Sequence, residues 1–227
     1  MNVFQELMTY YSQNYSYVWT EFYRHFLMAG YGVLFAAVVA IPLGIFIAKR
    51  AKLSAVVFTI TNVVQTIPAL AMLAMLMLVL GLGTNTVVLA LFFYSLLPIL
   101  RNTYSGIRSV DEALLESGTA MGMTKRQILF MVQLPLSLSV ILAGLRTALV
   151  ISIGITAIGT FIGSGGLGDI IVRGTNATDG TAIILAGAIP TALMAIIVDA
   201  LMGFLEKALS PEKRLKQAEG TQAGHPV

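Results

Sequence analysis

Residues 116–135 read ESGTAMGMTKRQILFMVQLP, a polar and charged stretch between hydrophobic runs that are long enough to cross a bilayer. A hydroxyl residue followed three positions later by Glu or Gln forms a capping box at the start of a helix. In and just before this stretch there are two such pairs, Ser109 with Glu112 and Thr124 with Gln127. The pattern therefore predicts two short helices.

A tight turn is predicted between these helices, and a membrane span after them. Gly122 lies just before the second capping box, where a residue in the left-handed conformation can end the first helix. Pro135 can open the next element, because a proline in the first turn of a helix loses no hydrogen bond. The predicted order is helix, turn, helix and span.

The composition of the whole chain is that of a membrane protein. Of its 227 residues, 57% are hydrophobic and only 11% are charged, whereas soluble domains carry about a quarter charged residues. We therefore expect an all-α integral membrane protein. Its net charge of +3 is explained by Lys and Arg kept in cytoplasmic loops rather than by nucleic-acid binding. Without cysteine, and with His25 and His225 far apart, no metal site is predicted.

About five hydrophobic runs are predicted to span the membrane. A hydrocarbon core of about 30 Å needs roughly 20 helical residues, so the uncharged run from residue 53 to residue 100 suits two helices rather than one. Its turn-rich cluster, residues 81–85, marks the break between them. The other spans are residues 26–48, residues 135–162, and residues 181–205 with an interruption at Pro190.

The basic residues orient these spans. If the 109–135 loop is cytoplasmic, every Lys and Arg except Arg24 and Arg173 lies on or near the cytoplasmic side, as the positive-inside rule requires. The N-terminus is then outside and the C-terminus is in the cytoplasm. The expected divisions are an extracytoplasmic segment at residues 1–25, a transmembrane domain at residues 26–207 and a polar cytoplasmic tail at residues 208–227.

The spacing of the polar stretch resembles the EAA loop of ABC importer permeases. The matching positions are Glu116, Gly122, Leu134 and Pro135, while Ser117 and Gly118 replace two alanines and Val132 replaces an isoleucine. The resemblance implies that residues 109–135 form a coupling loop that docks on a separate ATPase. The residues implied in docking are Glu112, Glu116, Gly118, Gly122, Lys125, Arg126, Leu134 and Pro135.

Five further blocks carry a more specific resemblance. They are residues 62–71 (NVVQTIPALA), 97–106 (LPILRNTYSG), 144–148 (GLRTA), 161–169 (FIGSGGLGD) and 187–190 (GAIP). These blocks resemble the permease subunits of osmoprotectant importers, which carry glycine betaine, carnitine or choline. The resemblance implies a type I importer (MetI-like) permease fold in the plasma membrane. It also implies an ABC ATPase, an extracytoplasmic substrate-binding protein and a second permease chain, identical or related, as partners.

ATP hydrolysis is not expected in this chain. A phosphate-binding loop requires a Gly-Lys step, and the sequence contains none. We therefore expect a transport subunit rather than an enzyme, with no cofactor of its own and with ATP and Mg²⁺ bound by the partner ATPase.

Polar residues of the second span are candidates for a solute path. Asn62, Gln65 and Thr66 lie next to Pro68, whose ring is expected to kink the helix. Polar side chains in a span turn toward the interior of the bundle, where hydrogen bonds between helices explain them as well as contact with solute does.

Asp199 is a further candidate for the path, because a charge deep in the fifth span is costly to expose to lipid. It is expected to pair with Arg101 or Arg146, or to be hydrated near the helix end. This structural role is favoured over gating or proton transfer.

A glycine-rich segment follows the fourth span. Gly163, Gly165 and Gly168 fit the dinucleotide-binding pattern G-x-G-x-x-G, but that pattern binds a nucleotide only when a strand precedes it. Here a membrane span precedes it, on the outer side. We therefore predict a turn at the outer mouth of the pathway, including Gly166 and Asp169, that contacts a solute-delivery protein.

Two other transport functions stay open. A proton-coupled secondary transporter would use Asp199 as its proton carrier and would need no ATPase. An ABC permease for another small solute, such as an amino acid, would keep the coupling loop. A membrane enzyme is disfavoured, because no nucleophile, base and orienting group recur at catalytic spacing.

Overall fold

A computed structural model describes residues 2–210, and within them every regular element is helical. The helices are α1 (Val3–Ala48), α2 (Ala51–Thr66), α3 (Ala69–Leu80), α4 (Thr84–Arg108), α5 (Glu112–Ala120), α6 (Lys125–Ile128), α7 (Leu134–Ile158), α8 (Leu167–Thr175) and α9 (Thr181–Leu209). A π-helical turn, Leu129–Gln133, precedes α7, and a 3₁₀ turn, Gly159–Ile162, follows it. Most of the predicted polar tail, from residue 211 onward, lies outside the described residues.

The expectation of about five spans is confirmed. Four helices of the described chain are long and apolar enough to cross a membrane by themselves: α1, α4, the helix that runs from Lys125 to Ile162, and α9. Helices α2 and α3 reach that length only as a pair, and they are bent by 96° at the break between them.

Pro68 breaks the second span more sharply than the predicted kink. Ile67, the residue before it, has extended backbone angles of φ −68° and ψ 124°. A proline disfavours the helical conformation of the preceding residue and donates no hydrogen bond, so α2 ends and α3 starts in a new direction. The interruption predicted at Pro190 is wrong, because α9 stays helical through that residue.

The predicted break between the second and third spans is confirmed. Gly81 and Gly83 have φ values of +78° and +109°, in the region that favours glycine. The Gly83 N–H donates to the carbonyl of Ile162 at 2.9 Å. This turn is therefore attached to the end of the fourth span.

Helix α1 is much longer than one span. Its 46 residues, which include a kink at Asn14, follow a helical path of roughly 69 Å at about 1.5 Å per residue, more than twice a hydrocarbon core of about 30 Å. The segment predicted as extracytoplasmic, residues 1–25, is thus helical from Val3 onward, with non-helical angles at Asn14 alone among residues 3–48. It brings Tyr17, Glu21 and His25 beside the glycine-rich segment.

Helix α4 lies at the centre of the bundle because small residues let its neighbours approach closely. On one side, a Cβ added to Gly44 of α1 would lie 2.8 Å from Thr103 Cβ. On the other side, a Cβ added to Gly144 of α7 would lie 2.7 Å from Asn102 Cβ and 2.9 Å from the Pro98 carbonyl oxygen. Glycine at 144 therefore sets the distance between α4 and α7.

We expect Gly144→Ala to lower the thermal unfolding midpoint of the purified chain in detergent. Overpacking of a helix contact costs about 1–3 kcal/mol, because the added methyl group collides with α4. Gly154→Ala is the matched control on α7, since a Cβ there meets nothing within 4 Å. Equal midpoints for the two variants would contradict this packing.

Candidate functional site

The first helix of the 109–135 loop starts differently from the prediction. Asp111, not Ser109, caps α5, and its Oδ1 accepts a hydrogen bond from the Ala113 N–H at 2.9 Å. The predicted Ser109–Glu112 capping box is wrong because Ser109 belongs to the end of α4. Its hydroxyl donates back to the Gly106 carbonyl at 2.9 Å, a bond that serines at helix ends readily form.

The second helix of the loop starts as predicted. The Gln127 N–H donates to Thr124 Oγ1 at 3.3 Å, and the Thr124 N–H donates to Gln127 Oε1 at 2.8 Å. The capping box is therefore confirmed. It fixes where α6 begins.

The turn between the two helices is built on glycine. Gly122 has φ +82°, as predicted, and the Met123 N–H reaches the Gly118 carbonyl at 3.0 Å. Gly118 is buried, and a Cβ there would lie 3.2 Å from Met123 Sδ. The two glycines let α5 fold back onto α6.

The loop does not end where α6 ends. The Leu134 N–H reaches the Leu129 carbonyl, five residues back, in the π turn that connects α6 to α7. Pro135 therefore lies in the first turn of α7 inside a continuous helix. The sequence had predicted that the loop and the fourth span are separate elements, and this is corrected. A widened turn accommodates the proline ring, which collides with the preceding turn of a regular helix.

The loop presents charged groups that no other described side chain neutralises. These are Glu112, Glu116, Lys125 and Arg126, all exposed and without an ion pair within residues 2–210. Met121, Phe130 and Met131 are also largely exposed. Leu134 is half-buried and Pro135 is exposed. The loop thus offers a mixed charged and apolar surface.

The polar residues of the second span have different surroundings. Gln65 Nε2 donates to the Tyr94 carbonyl of α4 at 2.6 Å, so it links two helices. Asn62 and Thr66 are exposed, and Asn62 Oδ1 accepts a hydrogen bond from Arg101 at 3.2 Å. Of these residues, Asn62 and Thr66 present polar atoms at the surface beside Pro68.

Asp199 forms the predicted structural pair, with Arg146 of α7. Arg146 Nε and Nη2 donate to its two carboxylate oxygens at 2.6 and 2.7 Å, and Arg146 Nη1 lies 3.4 Å from Glu206 Oε2. The three side chains border a cavity of about 410 Å³ between α7 and α9. The second candidate partner, Arg101 of α4, bonds to Asn62 of α2 instead.

The glycine-rich segment is a backbone turn that leads into α8. This helix was not predicted from the sequence. Gly163, Gly165 and Gly166 have φ values of +72°, +72° and +85°. Gly168 packs so closely on α7 that a Cβ would lie 2.1 Å from the Ala157 carbonyl oxygen. A 3₁₀ turn, not a strand, precedes the glycine pattern.

Three side chains of α1 hold this segment, and none of them was identified from the sequence. Glu21 accepts from the Gly166 N–H at 2.5 Å. His25 accepts from the Leu167 N–H through Nδ1 at 3.2 Å, and its Nε2 lies 2.9 Å from the Ile153 carbonyl of α7, which it reaches as a donor. Tyr17 donates to Asp169. The available signal was a Glu and a His spaced i, i+4 on a helix.

Asp169 stays charged in this position. Burial raises the pKa of its carboxyl, but hydrogen bonds from Tyr17 and Arg173 outweigh burial and hold the pKa below its ordinary value. The Arg173 Nε lies 2.8 Å from the carboxylate. The segment Gly163–Asp169 is therefore fixed to α1 from Gly166 to Asp169.

These features define a class of protein: a helical membrane subunit with a polar helical loop between its third and fourth spans. The chain belongs to the family of binding-protein-dependent transport system inner membrane components, which residues 40–211 match. The expected ABC importer permease is thereby confirmed. The alternative of a proton-coupled secondary carrier is disfavoured, because the Asp199 carboxylate, its candidate proton carrier, is ion-paired with Arg146.

The chain is similar in sequence to two transport permeases of Bacillus subtilis. The chain is 74% identical over 216 residues to the glycine betaine/carnitine/choline transport system permease protein OpuCD of Bacillus subtilis, covering 95% of this chain and 94% of that protein. It is 73% identical over 214 residues to the choline transport system permease protein OpuBD of the same organism, covering 94% and 95%. The inward-facing MetNI methionine ABC transporter shares the fold, with a TM-score of 0.76 at 20% identity over 85% of this chain and 96% of that one. The MetI-like type I fold is confirmed.

We expect Glu21→Ala to loosen the segment Gly163–Asp169. The buried Gly166 N–H would lose its acceptor, which costs about 1–3 kcal/mol, so amide hydrogen exchange there should accelerate about tenfold or more. Glu6→Ala on the same helix is the control, because the Glu6 carboxylate bonds to none of the described residues. Equal exchange in both variants would show that Glu21 does not hold the segment.

Proposed function

We propose that this chain is the permease subunit of an ATP-driven importer for the quaternary-ammonium osmoprotectants glycine betaine, carnitine and choline. The observation that carries the proposal is identity above 70% over nearly the whole chain to two permeases named for these solutes. The methionine transporter shares the fold at far lower identity, which supports the fold and not an amino-acid substrate.

The proposed source of energy is a separate ABC ATPase, which binds ATP and Mg²⁺ and on which the 109–135 loop docks. The exposed charges of Glu116, Lys125 and Arg126 and the exposed Met121 support docking, because these side chains have no partner among residues 2–210. The absence of a Gly-Lys step in the sequence supports an ATP site outside this chain.

Movement of the loop reaches the membrane domain through one continuous helix. The helix from Lys125 to Ile162 has 38 residues, roughly 57 Å at about 1.5 Å per residue. A displacement of α6 therefore displaces α7. At its far end, the same helix leads into Gly163 and the clamped outer segment, so ATP-driven closure at the loop changes the outer mouth.

We place this outer mouth against a substrate-binding protein and the opposite face in the cytoplasm. The N-terminus is then outside, the C-terminus is cytoplasmic, and a second permease chain, identical or related, completes the pathway in the plasma membrane. A solute path shared by the two permease chains is supported by the exposed polar groups in the spans, which require a partner other than lipid. These groups are Asn62, Thr66 and the Arg146–Asp199 pair.

The substrate is tested on the purified complex of permease, ATPase and binding protein. We expect glycine betaine, carnitine and choline to stimulate ATP hydrolysis, because loaded binding protein triggers the transport cycle. Methionine and histidine serve as controls. Stimulation by an amino acid, with none by the three quaternary ammonium solutes, would contradict the proposal.

The docking role of the loop is tested with the double variant Glu116→Lys, Gly122→Val. We expect normal membrane insertion but loss of the co-purifying ATPase, since the charge is reversed and a β-branched residue at φ +82° distorts the turn. Gly81→Val is the matched control, with similar strain at φ +78° in a turn at the other end of the spans. ATPase retention and normal transport in the double variant would refute docking.

A further inference from the structure

Arg101 of α4 carries a charge that the interactions described above leave unused. Either Arg101 or Arg146 was expected to neutralise Asp199, and Arg146 forms that pair. Within residues 2–210, no carboxylate lies at salt-bridge distance from Arg101. Its guanidinium makes a hydrogen bond with a side chain only at Asn62, at 3.2 Å.

Arg101 lies inside the membrane domain, on the side of the candidate path. It precedes the end of α4 at Arg108 by seven residues, roughly 10 Å along the helix. Its side chain is exposed, as are those of Asn62 and Thr66 beside the Pro68 break. An arginine that faces hydrocarbon without a counter-ion is costly, so this surface of α2 and α4 faces water, solute or another chain.

A guanidinium interacts differently with each class of solute in the proposed function. A guanidinium binds a carboxylate through two parallel, charge-assisted hydrogen bonds. Glycine betaine and carnitine carry a carboxylate as well as a quaternary ammonium group. Choline carries a hydroxyl instead and has only the positive charge, which Arg101 repels.

We propose that Arg101 contacts the carboxylate of the solute during translocation and favours glycine betaine and carnitine over choline. This inference rests on the proposed function, and it assigns a specificity-determining role within that function to one residue of the permease.

The test measures maximal uptake into proteoliposomes that contain the permease, its ATPase and saturating loaded binding protein. Saturation removes the affinity of the binding protein from the comparison. In Arg101→Gln we expect glycine betaine and carnitine uptake to fall about tenfold, which corresponds to about 1.4 kcal/mol. Choline uptake should stay unchanged or rise.

Three variants separate this contact from a structural role. Arg101→Lys keeps the charge but loses the paired hydrogen bonds, so uptake of the carboxylate solutes should fall less than in Arg101→Gln. Lys52→Gln removes a cation at the start of α2, away from the Pro68 break, so the ratio among solutes should stay that of the wild type. Arg108→Gln removes another cation of α4 and should leave the same ratio.

Equal loss of all three solutes in Arg101→Gln would show a positioning or gating role and overturn the inference. Unchanged uptake would place Arg101 off the path and overturn it as well. If Arg101→Gln does not assemble with the ATPase, Arg101→Lys decides: no fall in carboxylate solutes relative to choline overturns the inference. A wild-type complex that carries none of the three solutes would refute the proposed function itself, a result distinct from a failure of Arg101 alone.

Discussion

The structure depends on the unbroken helical backbone between Lys125 and Ile162. Each turn of a helix is held by hydrogen bonds along its axis, so the two ends cannot approach or separate without breaking them. The π turn before Pro135 keeps this continuity where a proline would otherwise end or kink the helix. Residues 125–135 of the polar loop therefore belong to the same rigid element as the fourth span, and this element ends where the glycine-rich turn begins.

Polar bonds attach this rigid element to the rest of the bundle, and three of them link the fourth span to α9, α1 and α4. Arg146 links its middle to α9, and the Ile153 carbonyl links its C-terminal half to His25 of α1. Ser152 lies 3.1 Å from Ser95 of α4. In hydrocarbon, a polar group without a partner is costly, so each of these bonds both satisfies a polar group and fixes the position of a neighbouring helix.

The loop was largely predictable because its structure is local. Thr124, Gln127 and Gly122 act within five residues of one another, and their sequence spacing alone determines the cap and the turn. Ser109 failed as a cap for a local reason too: α4 extended far enough to supply an earlier carbonyl for its hydroxyl, and Asp111 was left to cap α5. Docking of this loop on an ATPase stays a prediction.

The sequence by itself determined the number of spans, their breaks at Pro68 and Gly81, and the polar loop, because hydrophobic length, proline chemistry and capping all act over short distances. Only the tertiary structure decided that Arg146 rather than Arg101 neutralises Asp199, and that Glu21 of α1 holds Gly166. Those pairs join residues 53 and 145 positions apart. Such contacts depend on how the helices pack and rotate, which no local pattern specifies.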